Sequence, residues 1–193
     1  MEHLQSLDGL NLVFYLANGL WLFEFIVFRN RKRKGQFNDP FSFYGLTAII
    51  GITILSTIVL NREEIGRMTE TSLYPWFQIS GIVFYILGLY LRYHASILLG
   101  GSFTRHVTVE STMNLVSKGP YTYLRHPLYL GLFLLVIAFP LYAGNWIAVI
   151  VFLPLNLLGL LIRIRIEENA LEKIIPHYKA WKKARDRIIP FIY

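Results

Sequence analysis

The chain has 193 residues, of which 54% are hydrophobic and 16% charged, and it carries a net charge of +7. A soluble domain has about 25% charged residues, so lipid must serve as the solvent for much of this surface. Cysteine is absent, which excludes disulfides, thiolate metal sites and cysteine nucleophiles. The basic residues flank apolar runs and belong to no nucleic-acid recognition module, so they speak for membrane orientation and anionic-lipid contact.

A helix crossing the hydrocarbon core needs about 20 apolar residues. The first such run covers residues 10–28 and is read as a retained span: no basic start and no small-residue cleavage site mark a signal peptide. Arg29, Arg31, Lys32, Arg33 and Lys34 end it, and Glu24 inside the run is expected to find its partner among them. A second span covers residues 43–60, followed by a polar stretch at 61–72. The third covers 76–99, with Arg92 and His94 near its end, and Gly100-Gly101 breaks it. Residues 102–127 are too polar for lipid. Runs at 128–142 and 146–162, split by Ala143-Gly144-Asn145, read as a tight helical hairpin. After Arg163 the chain is polar and amphipathic.

These elements predict an all-α integral membrane protein of about five transmembrane helices, the last two a hairpin, with a C-terminal cytosolic amphipathic segment. An N-terminus outside puts 17 of the 19 Lys and Arg residues on the cytosolic side, as the positive-inside bias requires. The chain then forms one structural domain, with a two-span segment at 1–75 and a second region at 76–193.

Two polar clusters flank the hairpin. The first is Lys118-Gly119-Pro120-Tyr121-Thr122-Tyr123-Leu124-Arg125-His126-Pro127-Leu128-Tyr129; the second is Arg163, Arg165, Glu167, Glu168 and Glu172. Taken singly, they read as a membrane-entry turn with an aromatic belt and as a salt-bridged helix extension. A hairpin returns both ends to one interface, where unpaired charge is costly and often functional. Arg125, His126 and Tyr129 then meet Arg163 and Glu167 in one concave site.

The pattern Gly119-Pro120-Tyr121, Arg125-His126-Pro127, Tyr129 and Gly131, followed by Arg163, Glu167 and Glu168, resembles the isoprenylcysteine carboxyl methyltransferase family. Membrane methyltransferases of phospholipid amines share part of it. The resemblance covers about residues 90–193, with Tyr178 and Ile189-Pro190 fitting its C-terminal end. It implies S-adenosylmethionine as cofactor, contacted by Met113, Asn114, Leu115, Val116, Tyr121, His126, Pro127, Leu128, Tyr129 and Glu167. It also implies Arg163 as the contact to a lipophilic methyl acceptor drawn from the bilayer. His106 or Thr108 is a further candidate cofactor contact.

Methyl transfer from a sulfonium is an in-line displacement governed largely by positioning. A carboxylate acceptor needs no base, and a guanidinium such as Arg163 can hold it by two hydrogen bonds. An ionised Glu167 accepts from the hydroxyl or ammonium donors of the cofactor. Glu168 is expected to orient Arg125 or Arg163, which makes Arg163, Arg125 and Glu168 the catalytic candidates. Span three and the hairpin are expected to wall the acceptor's tail.

No G-x-G-x-x-G follows a strand, which argues against a Rossmann-type methyltransferase. His3, His94, His106, His126 and His177 form no paired metal motif, so no metal is expected. Three alternatives remain: a phospholipid-amine or small-thiol methyltransferase, an NADPH-dependent sterol-type reductase, and a non-enzymatic scaffold. The reductases typically carry a tryptophan-rich approach to the site and Asn after the His, where this chain has Tyr121 and Pro127.

Overall fold

The computed structural model describes residues 2–28 and 35–188. The cluster at 29–34 and the Ile189-Pro190 pair lie outside the described residues. Helices α1 (Glu2–Val27), α2 (Phe41–Arg62), α3 (Tyr74–Leu99), α4 (Pro127–Tyr142) and α5 (Trp146–Ile174) build the body, and a short α6 (Tyr178–Lys183) follows. Among the described residues four helices are long and apolar enough to cross a membrane; α4, with 16 residues, is shorter. The protein is an all-α, multi-pass integral membrane protein. At 1.5 Å per residue, α4 reaches only about 24 Å, less than the roughly 30 Å hydrocarbon core.

The helix ends follow from local chemistry. The Asp39 carboxylate accepts from the backbone N–H groups of Phe41 and Ser42 at 2.9 and 3.3 Å, so α2 starts two residues before its expected position. Pro127 opens α4, where a missing N–H costs nothing. Asn145 caps α5 by accepting from the Ala148 N–H at 2.9 Å. Its amide also donates to Asn61 Oδ1 at 2.7 Å and to the Ile65 carbonyl at 2.9 Å. This polar knot pins the α4–α5 turn to the end of α2. The α5 helix runs unbroken through the charged stretch to Ile174.

α3 and α4 make the closest helix pair. A Cβ placed on Gly88 would lie 2.8 Å from the Gly131 carbonyl oxygen, and one on Gly131 would lie 2.9 Å from that of Gly88. Small residues let backbones approach where no hydrophobic effect drives helices together. α1 packs on α3, and Phe14 stacks on Tyr142 with ring centroids 3.8 Å apart. α2 packs on α5 and α4. Side chains such as Leu55, Ile86, Ile150 and Leu158 stay exposed, as lipid-facing positions should.

Two features were not foreseen. Strands β1 (Phe37–Asp39) and β2 (Val107–Val109) form a small antiparallel ladder, tying the approach to α2 to the polar segment after α3. Glu24 also finds its partner elsewhere than expected. Arg92 of α3 grips both its carboxylate oxygens, Nε at 2.6 Å and Nη2 at 2.5 Å. Both residues face inward, and a buried carboxylate takes the charge that can reach it.

Candidate active site

The start of α4 and the middle of α5 lie together at the end opposite the Asn61–Asn145 knot. On α4, Tyr129 donates its hydroxyl proton to Glu167 Oε2 at 2.5 Å and accepts from Arg163 Nε at 3.0 Å. Arg163 and Glu167, four residues apart on α5, therefore meet through a shared hydroxyl. Arg163 Nη1 donates to Ser42 Oγ at 2.9 Å, and Nη2 donates to the Arg105 carbonyl. Arg163 is only 4% exposed. Among the described residues no carboxylate is in ion-pair contact with it. It is a buried cation held by neutral acceptors.

Glu168 faces a different group of partners. Its Oε1 accepts from Arg125 Nη1 at 2.6 Å and lies 3.2 Å from His126 Nε2, while Oε2 lies 3.2 Å from Arg187 Nη2. Of the two arginines weighed for Glu168, the structure selects Arg125. The C-terminal strand-like segment braces the same region. Arg125 N–H donates to the Asp186 carbonyl at 2.8 Å, and Asp186 N–H to that of Tyr123 at 2.9 Å. Arg185 Nε donates to the Tyr121 carbonyl at 2.7 Å.

Beside these networks lies a cavity of about 410 Å³. Met113, Asn114, Leu115 and Val116 line one side, and Tyr121, His126, Leu128, Tyr129 and Glu167 another. Arg125 and Arg163 also border it. Pro127 is packed at the start of α4, and Glu168 stands behind Arg125 and His126; neither borders the cavity. His106 and Thr108 do, and the His106 ring lies against Phe43 with centroids 4.9 Å apart. His94 points elsewhere, to the Tyr90 hydroxyl.

Burial pushes the Tyr121 phenol well above its ordinary value, with Glu167 adding to the effect, so it stays a neutral hydroxyl. Burial raises Tyr178 in the same way. Burial lowers Arg105 from the usual guanidinium value, and Glu24 works against that shift.

The apolar end of the cavity corrects the expectation about its walls. Trp21, Leu22 and Phe25 of α1 and Leu46, Ile50 and Ile54 of α2 supply most of that lining, with Leu99 and Leu132 adding less. Sequence reading found no motif in these two helices, because apolar lining looks like any lipid-facing residue. Ser42, Arg105 and Arg185 were also missed: a lone serine or a single basic residue in a loop carries no spacing signal. Asp39-Pro40 ahead of an apolar run was a readable sign of a helix start that would have put Ser42 on α2.

The sequence profile of the isoprenylcysteine carboxyl methyltransferase (ICMT) family matches residues 81–173, the stretch that holds both polar clusters. The chain belongs to the ICMT family. It is 30% identical over 120 residues to the protein-S-isoprenylcysteine O-methyltransferase of Schizosaccharomyces pombe, covering 56% of this chain and 50% of that enzyme. The chain thus spans about half the length of that ICMT relative. It is also 30% identical over 142 residues to Bacillus subtilis YpbQ, covering 74% of this chain and 82% of YpbQ.

Proposed function

We propose that the protein is an S-adenosylmethionine-dependent methyltransferase that acts at the cytosolic membrane interface on a lipophilic acceptor, most like isoprenylcysteine carboxyl O-methylation. The observation that carries this reading is the shared Tyr129 hydroxyl. It joins Glu167, on the polar side of the cavity, to Arg163, which leads toward the apolar side. The donor set suits the cofactor: a carboxylate for its ammonium or hydroxyl groups, neutral phenols, and the apolar side chains of Met113, Leu115 and Val116 for the adenosine. When bound, the cofactor supplies an electrophilic methyl group.

The chain's own residues supply position and charge. Arg163 offers a buried positive charge to an anionic acceptor head: among the described residues its hydrogen-bond acceptors are the neutral Tyr129 and Ser42 hydroxyls and the Arg105 carbonyl. Phe43 and Leu46 begin the apolar path that leads from Arg163 between α1 and α2, and a tail reaching in from the bilayer would follow it. Arg125, His126 and Glu168 hold the start of α4 in register with α5. In this proposal residues 76–193 form the catalytic region, and α1 and α2 complete its acceptor wall. The lysine and arginine bias supports an N-terminus outside and a cytosolic C-terminus and active site.

The test is methyl transfer from radiolabelled S-adenosylmethionine by detergent-purified protein, with N-acetyl-S-farnesylcysteine and dodecylamine as acceptors. Labelling of the farnesylcysteine carboxyl alone supports the reading in full. Labelling of the amine alone moves the acceptor class to amines, and a wild-type protein that neither binds nor consumes the cofactor refutes the reading.

A further inference from the structure

α1 carries no family motif, yet a carboxylate inside this membrane helix is completely buried: Glu24 is 0% exposed. A buried intramembrane charge is costly and is retained where it does something specific. Arg92 grips Glu24 through two nitrogens and sends Nη1 toward the Leu128 carbonyl at 3.4 Å, one residue before Tyr129. The stem of Arg92 fits only because residue 131 is glycine; a Cβ there would lie 2.8 Å from Arg92 Cγ. A second link runs through the backbone. Arg105 Nη2 donates to the carbonyls of Glu24 and Phe28 at 3.3 and 3.2 Å, capping α1, and the guanidinium stacks 3.9 Å from the Phe25 ring. The Arg105 carbonyl in turn accepts from Arg163.

Both links begin at the same turn of α1, one turn from Trp21 and beside Phe25 in the cavity wall. α1 otherwise packs on α3, and the path between α1 and α2 is cavity. We propose that Glu24 is a positioning residue: its ion pair with Arg92 fixes the site end of α1, and with it the acceptor wall and the Arg105 carbonyl that holds Arg163. The inference rests on the proposed function only in calling that wall an acceptor site. Loss of the Glu24 charge removes the ionic hold of α3 on the site end of α1 and leaves there the Tyr93 hydroxyl on the Leu20 carbonyl and the Arg105 bonds to backbone carbonyls, while the far end stays held by the Phe14–Tyr142 stack and the Tyr142 hydroxyl donating to Asn11.

The chain has no cysteine, so spin labels can be placed singly on the full-length protein. One pair, Ile26→Cys with Phe41→Cys, spans the site end of α1 and α2; a control pair, Val13→Cys with Ile58→Cys, spans the far end. All four positions are exposed. In Glu24→Gln the site-end distance distribution is expected to widen by about 2 Å or more, the scale of a helix shift at an interface. The far-end distribution should keep its width, and Glu24→Asp should restore the narrow site-end distribution. An unchanged site-end width in Glu24→Gln, equal widening at both ends, or no recovery in Glu24→Asp would each overturn the proposal. S-adenosylhomocysteine binding to the same wild-type preparation separates the two claims: its absence defeats the methyltransferase reading, and the distances still decide the role of Glu24.

Discussion

Replacing Glu168 by Gln should damage the fold more than the cofactor site. The carboxylate serves Arg125, His126 and Arg187 at 2.6, 3.2 and 3.2 Å, and it is only 4% exposed. Glutamine keeps the shape but turns an acceptor oxygen into a donor, so an amide N–H would face cationic N–H groups. Breaking a buried pair from one side costs about 3–5 kcal/mol, because the remaining charge stays buried. In a chain of this size, 1 kcal/mol moves the melting temperature by about 2–4 °C, so a fall on the order of 10 °C is expected. Glu167→Gln removes a carboxylate that accepts from the Tyr129 hydroxyl on the cavity side. It should lose S-adenosylhomocysteine affinity with a much smaller change in melting. Thermal unfolding in detergent, followed by tryptophan fluorescence, and calorimetric binding measure both effects. A Glu168→Gln protein that melts with wild type and loses the cofactor as severely as Glu167→Gln would refute the division of labour.

Tyr129→Phe removes the hydroxyl shared by Arg163 and Glu167, and is expected to lower methyl transfer at least tenfold while the protein still folds; retained full activity would discard the shared-hydroxyl argument. Gly131→Ala places a methyl group 2.8 Å from Arg92 Cγ and 2.9 Å from the Gly88 carbonyl oxygen, and overpacking of that kind costs about 1–3 kcal/mol, to be read as a lower melting temperature. Asp39→Ala removes the cap on α2 and should cost about 1 kcal/mol. Burial alone would raise the Asp39 carboxyl, but the bonds from Ser42 and Phe41, with the Arg163 charge, outweigh it and hold the group below its ordinary value of 3.8. The cap's contribution is therefore complete above that value and fades as pH falls through the lowered one. Wild type should lose its melting advantage over Asp39→Ala only at strongly acid pH.

The helices were legible because hydrocarbon demands long apolar runs, and Gly100-Gly101 and Ala143-Gly144-Asn145 mark clear breaks. The meeting of the two polar clusters was legible for a topological reason: a hairpin must bring Tyr129 and Arg163 to one level. What pairs with what was not. Arg163 and Glu167 were read as separate contacts, one to the acceptor and one to the cofactor, yet both turn to Tyr129, a residue on another helix. Glu24 was assigned to the nearest cations in sequence, whereas Arg92, 68 residues away, grips it in the interior. The contribution of α2 through Ser42 and Leu46 was hidden because tertiary contact, not local pattern, makes those residues special.

The central claim is that the cavity beside Tyr129 and Glu167 binds S-adenosylmethionine. Calorimetric titration of detergent-purified wild type and Glu167→Ala with S-adenosylmethionine and S-adenosylhomocysteine tests it most directly. The account predicts saturable binding of both ligands to wild type and its loss in the variant at an unchanged fold. Folded wild-type protein that binds neither ligand, or a variant that binds as tightly as wild type, would contradict it.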